Sequence, residues 1–597
     1  ALSLALLSSL AYAESPTLLD DVVVTASRFA APVATINAST TVITRSEIEA
    51  RQASSLADLL ASAGGVNMVS SGGPLTSTSI FLRGTTNKQT LVLIDGARVN
   101  STTAGGFDFS TLLPNDIERI EIVRGAGSVQ YGSDAIGGVI QIFTRKDRRT
   151  TLSLRAGSYH TQEASLSSFI GDSTAGIGFQ IGLLDSDGFN ATNFGNKDRD
   201  GGTKKTASLN AHKTLGKTRF AVSAITKNGD IEYDDGLSDQ RYINVSASAN
   251  TRFNQQWEQV VSLSSLRDDV DSTGLYGNSR FISSRQSLSW LHNVQALGGS
   301  WVAGIDAADE RASSAGTSGY DERTYNAGAF VQSNYQFDRL DTQLGLRRDH
   351  HETFGGKTTG SATAGWQFTP AIRGYAKYAT AYRAPNGNDL YYPGSPNFGG
   401  VWGCGPIAIP FCYFGSSDLT PESSTQRELG LSYQFAKQHR ASLSAYRNDV
   451  TDLIAIDFSQ NGFPLINIDK AKLRGVELEV AGSFTQWAYR LNASNQFAED
   501  TQGKPLARRP RRHLNTDISY TGFERVRLGS EVVARSSTVD FGPVAGYAIG
   551  NIYADWQVTD MLKLGLRIDN VLDKDYTQAN GYFTPGRSAY ASAVISL

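Results

Sequence analysis

"LKLGLRID", residues Leu562–Asp569, sets Leu562, Leu564, Leu566 and Ile568 on one face of an extended chain. Lys563, Gly565, Arg567 and Asp569 fall on the other. Successive side chains of a strand point to opposite faces, so this stretch is a strand greasy on one side and wet on the other. "RASLSAYRND" (440–449), "TASLNAHKTL" (206–215) and "AYASAVISL" (589–597) carry the same alternation. The texture runs from about residue 150 onward, interrupted by polar stretches rich in Gly, Asn and Asp. At about 20 residues per strand with its connection, the segment holds roughly 20–24 strands. That is too many for one soluble sandwich. A large membrane barrel points the apolar faces at lipid and keeps the polar faces in its lumen. The hydrophilic stretches 185–205 and 386–424 suit its outward-facing loops.

Composition agrees. Of 597 residues, 40% are hydrophobic and 19% charged, and a net charge of −3 gives no basic surface for nucleic acid. No segment past the N-terminus has the apolar run of a transmembrane helix. "ALSLALLSSLAYA" is short and apolar and ends Ala11-Tyr12-Ala13, which reads residues 1–13 as a residual signal peptide. Two cysteines in an exported chain suggest one disulfide, and the scattered histidines show no spacing for a catalytic metal.

Residues 30–148 have a different texture. "SEIEARQASSLADLLASA" (46–63) reads as helical, with Ser46 and Glu49 as a capping box. Strand-like "SIFLRG" and "TLVLIDG" follow, then "IERIEIVRGAGSVQYGSDAIGGVIQIFTRK" (117–146). The glycines there lack the spacing of a phosphate loop and suit tight turns in a compact domain. Ahead of it, "DDVVVTASRF" (20–29) is a strand signal with no turn or second strand close behind to pair with it. An unpaired strand is a template for another chain.

Taken in order, "DDVVVTASRF", "SIFLRGT", "LVLIDGARVN", the 117–146 stretch and "LRIDNVLDKDY…GYFTPGR" resemble the TonB-dependent outer-membrane receptors, and within that family those for cobalamin. The resemblance implies an all-β membrane protein of a Gram-negative outer membrane. Its 22-stranded antiparallel transmembrane β-barrel would hold an N-terminal α+β plug domain in the lumen. It divides the chain into signal peptide (1–13), N-terminal segment (14–29), plug (30–148) and barrel (149–597). Asp20, Asp21, Val22, Val23, Val24, Thr25 and Ala26 match the TonB box, a peptide offered to the TonB energy-transducing partner by strand addition.

The same resemblance implies site residues. Asn190, Asn196, Asp198 and Asp200 match one structural calcium loop, and Tyr233, Asp234 and Asp239 a second; Asn190 replaces an aspartate of the pattern. Such oxygen donors suit calcium. Ser79, Thr86 and Arg509 match positions that contact cobalamin or a related corrinoid. Thr86 stands where the pattern has Asn, and the loop "NSTTAGGFDF" (100–109) is shorter than its counterpart. Arg83, Arg124, Glu428 and Glu477 match plug–barrel ion pairs. Cys404 and Cys412, in an extra loop "GVWGCGPIAIPFCYFG" (400–415), are expected to form a disulfide.

The leading expectation is therefore TonB-driven import of a corrinoid. Within transport, a ferric-siderophore or haem receptor is the alternative. Haem is disfavoured because no histidine follows "YRAPN" (382–386) before Pro421. A passive porin or an adhesion protein conflicts with the plug and the TonB box. No nucleophile–base–orienter set suggests an enzyme.

Overall fold

The computed structural model describes residues 23–24, 28–29, 31–32, 36–73, 75–146, 149–193, 195–234, 236–274, 278–315, 319–392, 415–456 and 464–597. The alternating stretches form twenty-two strands in a closed antiparallel ring, from Thr151–Gly157 to Ser588–Ser596. The last strand pairs with the first, Leu154 opposite Ala593. Closure satisfies the backbone of every strand, which a sheet in lipid requires. No helix among the described residues is long and apolar enough to cross a membrane; the strands cross it.

The face directions follow the sequence pattern. In Ala175–Phe189, Ile177, Phe179, Ile181 and Leu183 are 40–50% exposed, while Gln180 between them is 2% exposed. In the opening stretch, Leu566 points out at 51% and Arg567 in at 3%. One end of the barrel is closed by short turns such as 216–217 and 297–298, the other by long connections such as 384–421 and 570–587. Exposed aromatic residues gather at the short-turn end: Trp257, Phe337, Trp366, Phe484, Trp487, Phe523 and Trp556. Such a girdle marks a membrane interface, with short turns on the periplasmic side.

The plug fills the lumen. Its five-stranded sheet runs Thr40–Ile43, Ile117–Arg124, Gly138–Thr144, Thr90–Ile94, Ala97–Arg98, with the Gly138–Thr144 and Thr90–Ile94 strands parallel. Leu56, Leu59, Leu60, Ile80, Ile94, Ile120 and Ile140 form its core. The predicted single helix is two, Arg45–Arg51 and Leu56–Ala61, separated where Gln52 turns left-handed at φ 49°. The capping box also differs from the expected one: Thr44 and Glu47 form it, in place of Ser46 and Glu49. Both pairs have the right spacing, and starting at Thr44 buries Ile48 in the core.

Glu49, released from capping, ties plug to wall. Its carboxylate meets Arg45 at 2.9 Å, Lys563 of the barrel at 3.2 Å and Arg145 at 3.9 Å. Burial pushes this carboxyl up, but the three cations outweigh it and hold it down at about 2. A lowered folded-state value means stability present above the ordinary 4.5 and lost as pH falls toward 2. Plug release, followed by limited proteolysis between pH 5 and 2, is therefore expected to be steeper in the parent than in Glu49→Gln. Identical profiles would show that Glu49 does not hold the plug.

Candidate transport site

The plug meets the wall through a buried arginine. Strand Thr78–Leu82 ends in Arg83 at φ 53° and Gly84 at φ 81°, a left-handed turn that swings the guanidinium outward. Arg83 Nε and Nη2 donate to Glu477 at 3.0 and 2.7 Å, and Nη1 and Nη2 to Glu428 at 2.8 and 3.2 Å. Tyr446 lies beneath the guanidinium at 4.4 Å, and Tyr375 donates its hydroxyl to Glu428 at 2.7 Å. The three charged side chains are 3%, 0% and 6% exposed. Gly65 packs here with φ 67°, and a Cβ on it would overlap the Glu477 carboxylate. Arg124 meets the expectation in part. It donates to Gly64 O, Ser39 and Thr41 inside the plug, acts electrostatically on Glu477 of the wall, and is linked to Glu479 through Thr41, whose hydroxyl donates to it at 3.1 Å. Its position on the strand Ile117–Arg124 directs it along the plug sheet.

The same turn carries the expected ligand residues. Ser79 and Thr86 are half-buried and bracket the segment that Arg509 covers. Arg509, on the connection before strand Arg512–Phe523, stacks 4.7 Å over Phe81, and its Nε donates to Gly84 O at 3.2 Å. Burial, and then the neighbouring Arg508 cation, pull its guanidinium down to about 10. Arg508 is already paired with Asp540 at 2.8 Å. Arg509 is thus the less compensated cation of the two.

The two acidic loops meet. Thr192 donates to Asp234 at 2.7 Å, Gly195 packs against the Asp234 carboxylate, and Asp198 and Asp234 both act electrostatically on Asp200. Asp200 accepts from Ala191 N at 2.7 Å and Asn190 from Thr192 N at 3.3 Å. Asn196 stands one residue from Gly195. Asp239 is tied to Arg241 at 2.5 Å, and Tyr233 donates to Thr273 O at 3.4 Å. Among the described residues no three His, Cys, Asp or Glu side chains alone form a metal site.

Several plug–barrel clusters had no counterpart in the sequence reading, among them Arg51 with Glu531 at 2.6 Å and the two that follow. Arg383 of "YRAPN" pairs with Glu422 and Asp389, both at 2.7 Å; plug residue Lys88 reaches Asp389 at 2.7 Å and Gln89 reaches Glu422 at 2.9 Å. Burial opposes the Asp389 charge, yet Lys88 and Arg383 hold its carboxyl well below the ordinary range. Midway along the wall, Arg28 pairs with Asp306 at 2.7 Å, and Asp306 with Arg347 at 2.7 Å. The motif was visible for the Arg383 cluster; for that at Asp306, partners 278 residues apart leave no local signal.

Val23–Val24 pairs antiparallel with Ala31–Pro32, which corrects the expectation that nothing nearby pairs with this strand. Asp20, Asp21, Val22, Thr25, Ala26, Cys404 and Cys412 lie outside the described residues.

A plug tethered by buried ion pairs inside a closed 22-stranded barrel defines a gated outer-membrane receptor. The chain belongs to the TonB-dependent receptors: residues 129–571 match the family model for the TonB dependent receptor-like beta-barrel, and 32–139 that for the TonB-dependent receptor plug domain. It is an outer-membrane protein and not an enzyme. Among curated relatives, the vitamin B12 transporter BtuB of Vibrio vulnificus is 29% identical, over 96% of this chain and 95% of that one. BtuB of Photobacterium profundum is 28% identical over the same shares. Of solved structures, the ferric enterobactin receptor of Pseudomonas aeruginosa superposes with TM-score 0.80 at 18% identity, covering 96% and 100% of the two chains. The copper transporter OprC gives 0.78 at 18%, covering 94% and 98%. At such identities these two show a shared fold.

Proposed function

We propose that this receptor imports cobalamin or a related corrinoid, driven by TonB. The observation that carries the reading is Arg509, an under-compensated guanidinium stacked on Phe81 between the half-buried Ser79 and Thr86. A corrinoid presents amides to hydroxyl groups and a phosphodiester to a cation, and this set offers both. Similarity to vitamin B12 transporters along nearly the whole chain supports it. Equilibrium binding of cyanocobalamin to purified receptor, beside ferric siderophores, tests it. Saturable cyanocobalamin binding that Arg509→Ala weakens at least tenfold is expected. Binding of a ferric siderophore alone would overturn the corrinoid reading.

Calcium belongs to the same proposal as a structural clamp between the two acidic loops. Support comes from Asp200, Asp198 and Asp234, like charges in mutual reach where a cation would relieve repulsion. An ion there would also draw on amide and backbone oxygens, as calcium does. Calcium is expected to raise the melting temperature with concentration, by the equivalent of about 2.7 kcal/mol at a hundredfold excess over Kd. Asp198→Ala with Asp234→Ala should abolish that dependence. An unchanged calcium response in the double variant would remove these loops from the site.

A further inference from the structure

Two cavities lie on one side of the plug. The outer, of about 400 Å³, reaches from Asn386 and Tyr391 at the external end down to Leu91 and Tyr131. The inner, of about 860 Å³, continues from Tyr131 to the periplasmic turn at Leu297 and Gly298. Tyr131 lines both, and buried Phe29 borders the inner one. The wall strands common to both run from Ser279–Ala296 to Leu340–His351, and the outer cavity extends further onto Trp257–Gly274 and Gly236–Arg252.

That wall has an unusual inner surface. Ser246, Ser264 and Ser287 stand directly across three neighbouring strands, and Ser248, Ser262 and Ser289 form a second row beside them. All six line the outer cavity. The rows continue onto Ala308 and Asn326, and onto Asp306 and Gly328. Alternate residues on these strands, among them Ile243, Leu263 and Leu288, face lipid, so the period of two aims the serines at the plug. Among the described residues only Ser289 is engaged, accepting from Arg28 at 3.3 Å. Charged groups flank the serine rows on the same wall, where Arg285 donates to plug Asn100 O at 2.8 Å and Asp306 meets Arg28 and Arg347. Across from the serines the plug offers its edge strand, Ala97–Arg98, held to its neighbour by two residue pairs, Leu93 with Arg98 and Ile94 with Ala97.

We propose that imported cargo passes between this serine-lined wall and the plug's edge strand, along the two cavities in series. Serine hydroxyls both donate and accept and carry no charge. They suit the amide and hydroxyl groups of a cargo that must be held weakly enough to move on. The edge strand is the plug element with the least backbone pairing to lose when the passage widens. This deepens the import reading and rests on it.

Ser264→Cys and Ser287→Cys, each with Cys404→Ser and Cys412→Ser, test the route. A bulky thiol reagent is applied to folded receptor, with the extent of reaction read by mass spectrometry. Cyanocobalamin binding and TonB-driven uptake are then measured. Ser592→Cys, lining a separate cavity of about 80 Å³ beside the last strand, is the control. Labelling at 264 or 287 is expected to cut uptake at least tenfold with binding within twofold of the parent, and reduction of the adduct restores uptake. A thiol at both positions that does not react, uptake at the parent rate after full labelling, or an equal block from position 592 would each overturn the route. A parent receptor that binds and imports a ferric siderophore instead would sink the corrinoid reading alone, and the same labelling measured with that cargo still decides the route.

Discussion

Glu428→Gln with Glu477→Gln is expected to loosen the plug by roughly 3–5 kcal/mol, the usual cost of stripping the partners from a buried ion. Arg83 carries a charge 3% exposed and spends four hydrogen bonds on those two carboxylates. Glutamine keeps the shape and an acceptor but removes the countercharge, so the guanidinium stays desolvated and uncompensated. Burial of a charge is tolerated only when it is paired. The plug should then leave its seat at a lower urea concentration, read by proteolysis of the plug, while the barrel's own unfolding midpoint stays put. Leakage of a large hydrophilic antibiotic into the cell should rise in parallel. A further Arg83→Met in that background should recover part of the loss, because an apolar side chain there needs no partner. An unmoved plug midpoint in the double glutamine variant would show that these pairs do not hold the plug.

That cluster was legible before the structure because its residues sit in short motifs, "LRG", "RELGL" and "RGVELEV", that match the family's plug–barrel ion-pair positions. The barrel was legible because alternation of Leu564 and Leu566 with Arg567 is a local property. Arg124 was legible only in part. Its motif "VRG" matches that of Arg83 in type, but whether a side chain points along a sheet or across to a wall depends on the sheet's position in the lumen. The pairing of Val23–Val24 with Ala31–Pro32 was missed because two residue pairs make too short a strand to show periodicity. The cap at Thr44 was missed because two boxes overlap, and burial of Ile48, a tertiary matter, decides between them.

The short pairing of Val23–Val24 bears on how the receptor is driven, and Val23→Pro is expected to abolish uptake while leaving ligand affinity unchanged. The outer membrane has no nucleotide supply, so work on the plug must arrive as a pull from a partner reached in the periplasm. A peptide that serves as handle must leave its resting place easily and then bind another chain through its backbone. Val23 and Val24 meet both demands: among the described residues two residue pairs hold them, one of them to Pro32, which has no N–H to donate. Their β-branched side chains favour the extended form that strand addition uses. Proline at 23 removes a backbone donor and hinders pairing with an incoming strand. The plug's anchors at Arg83, Glu49 and Lys88 lie elsewhere in the chain, so folding and the ligand site should be untouched. Uptake by the variant at the parent rate would mean that the partner grips another segment. Loss of binding along with uptake would mean that residue 23 supports the plug itself, and the handle reading would fail on that side too.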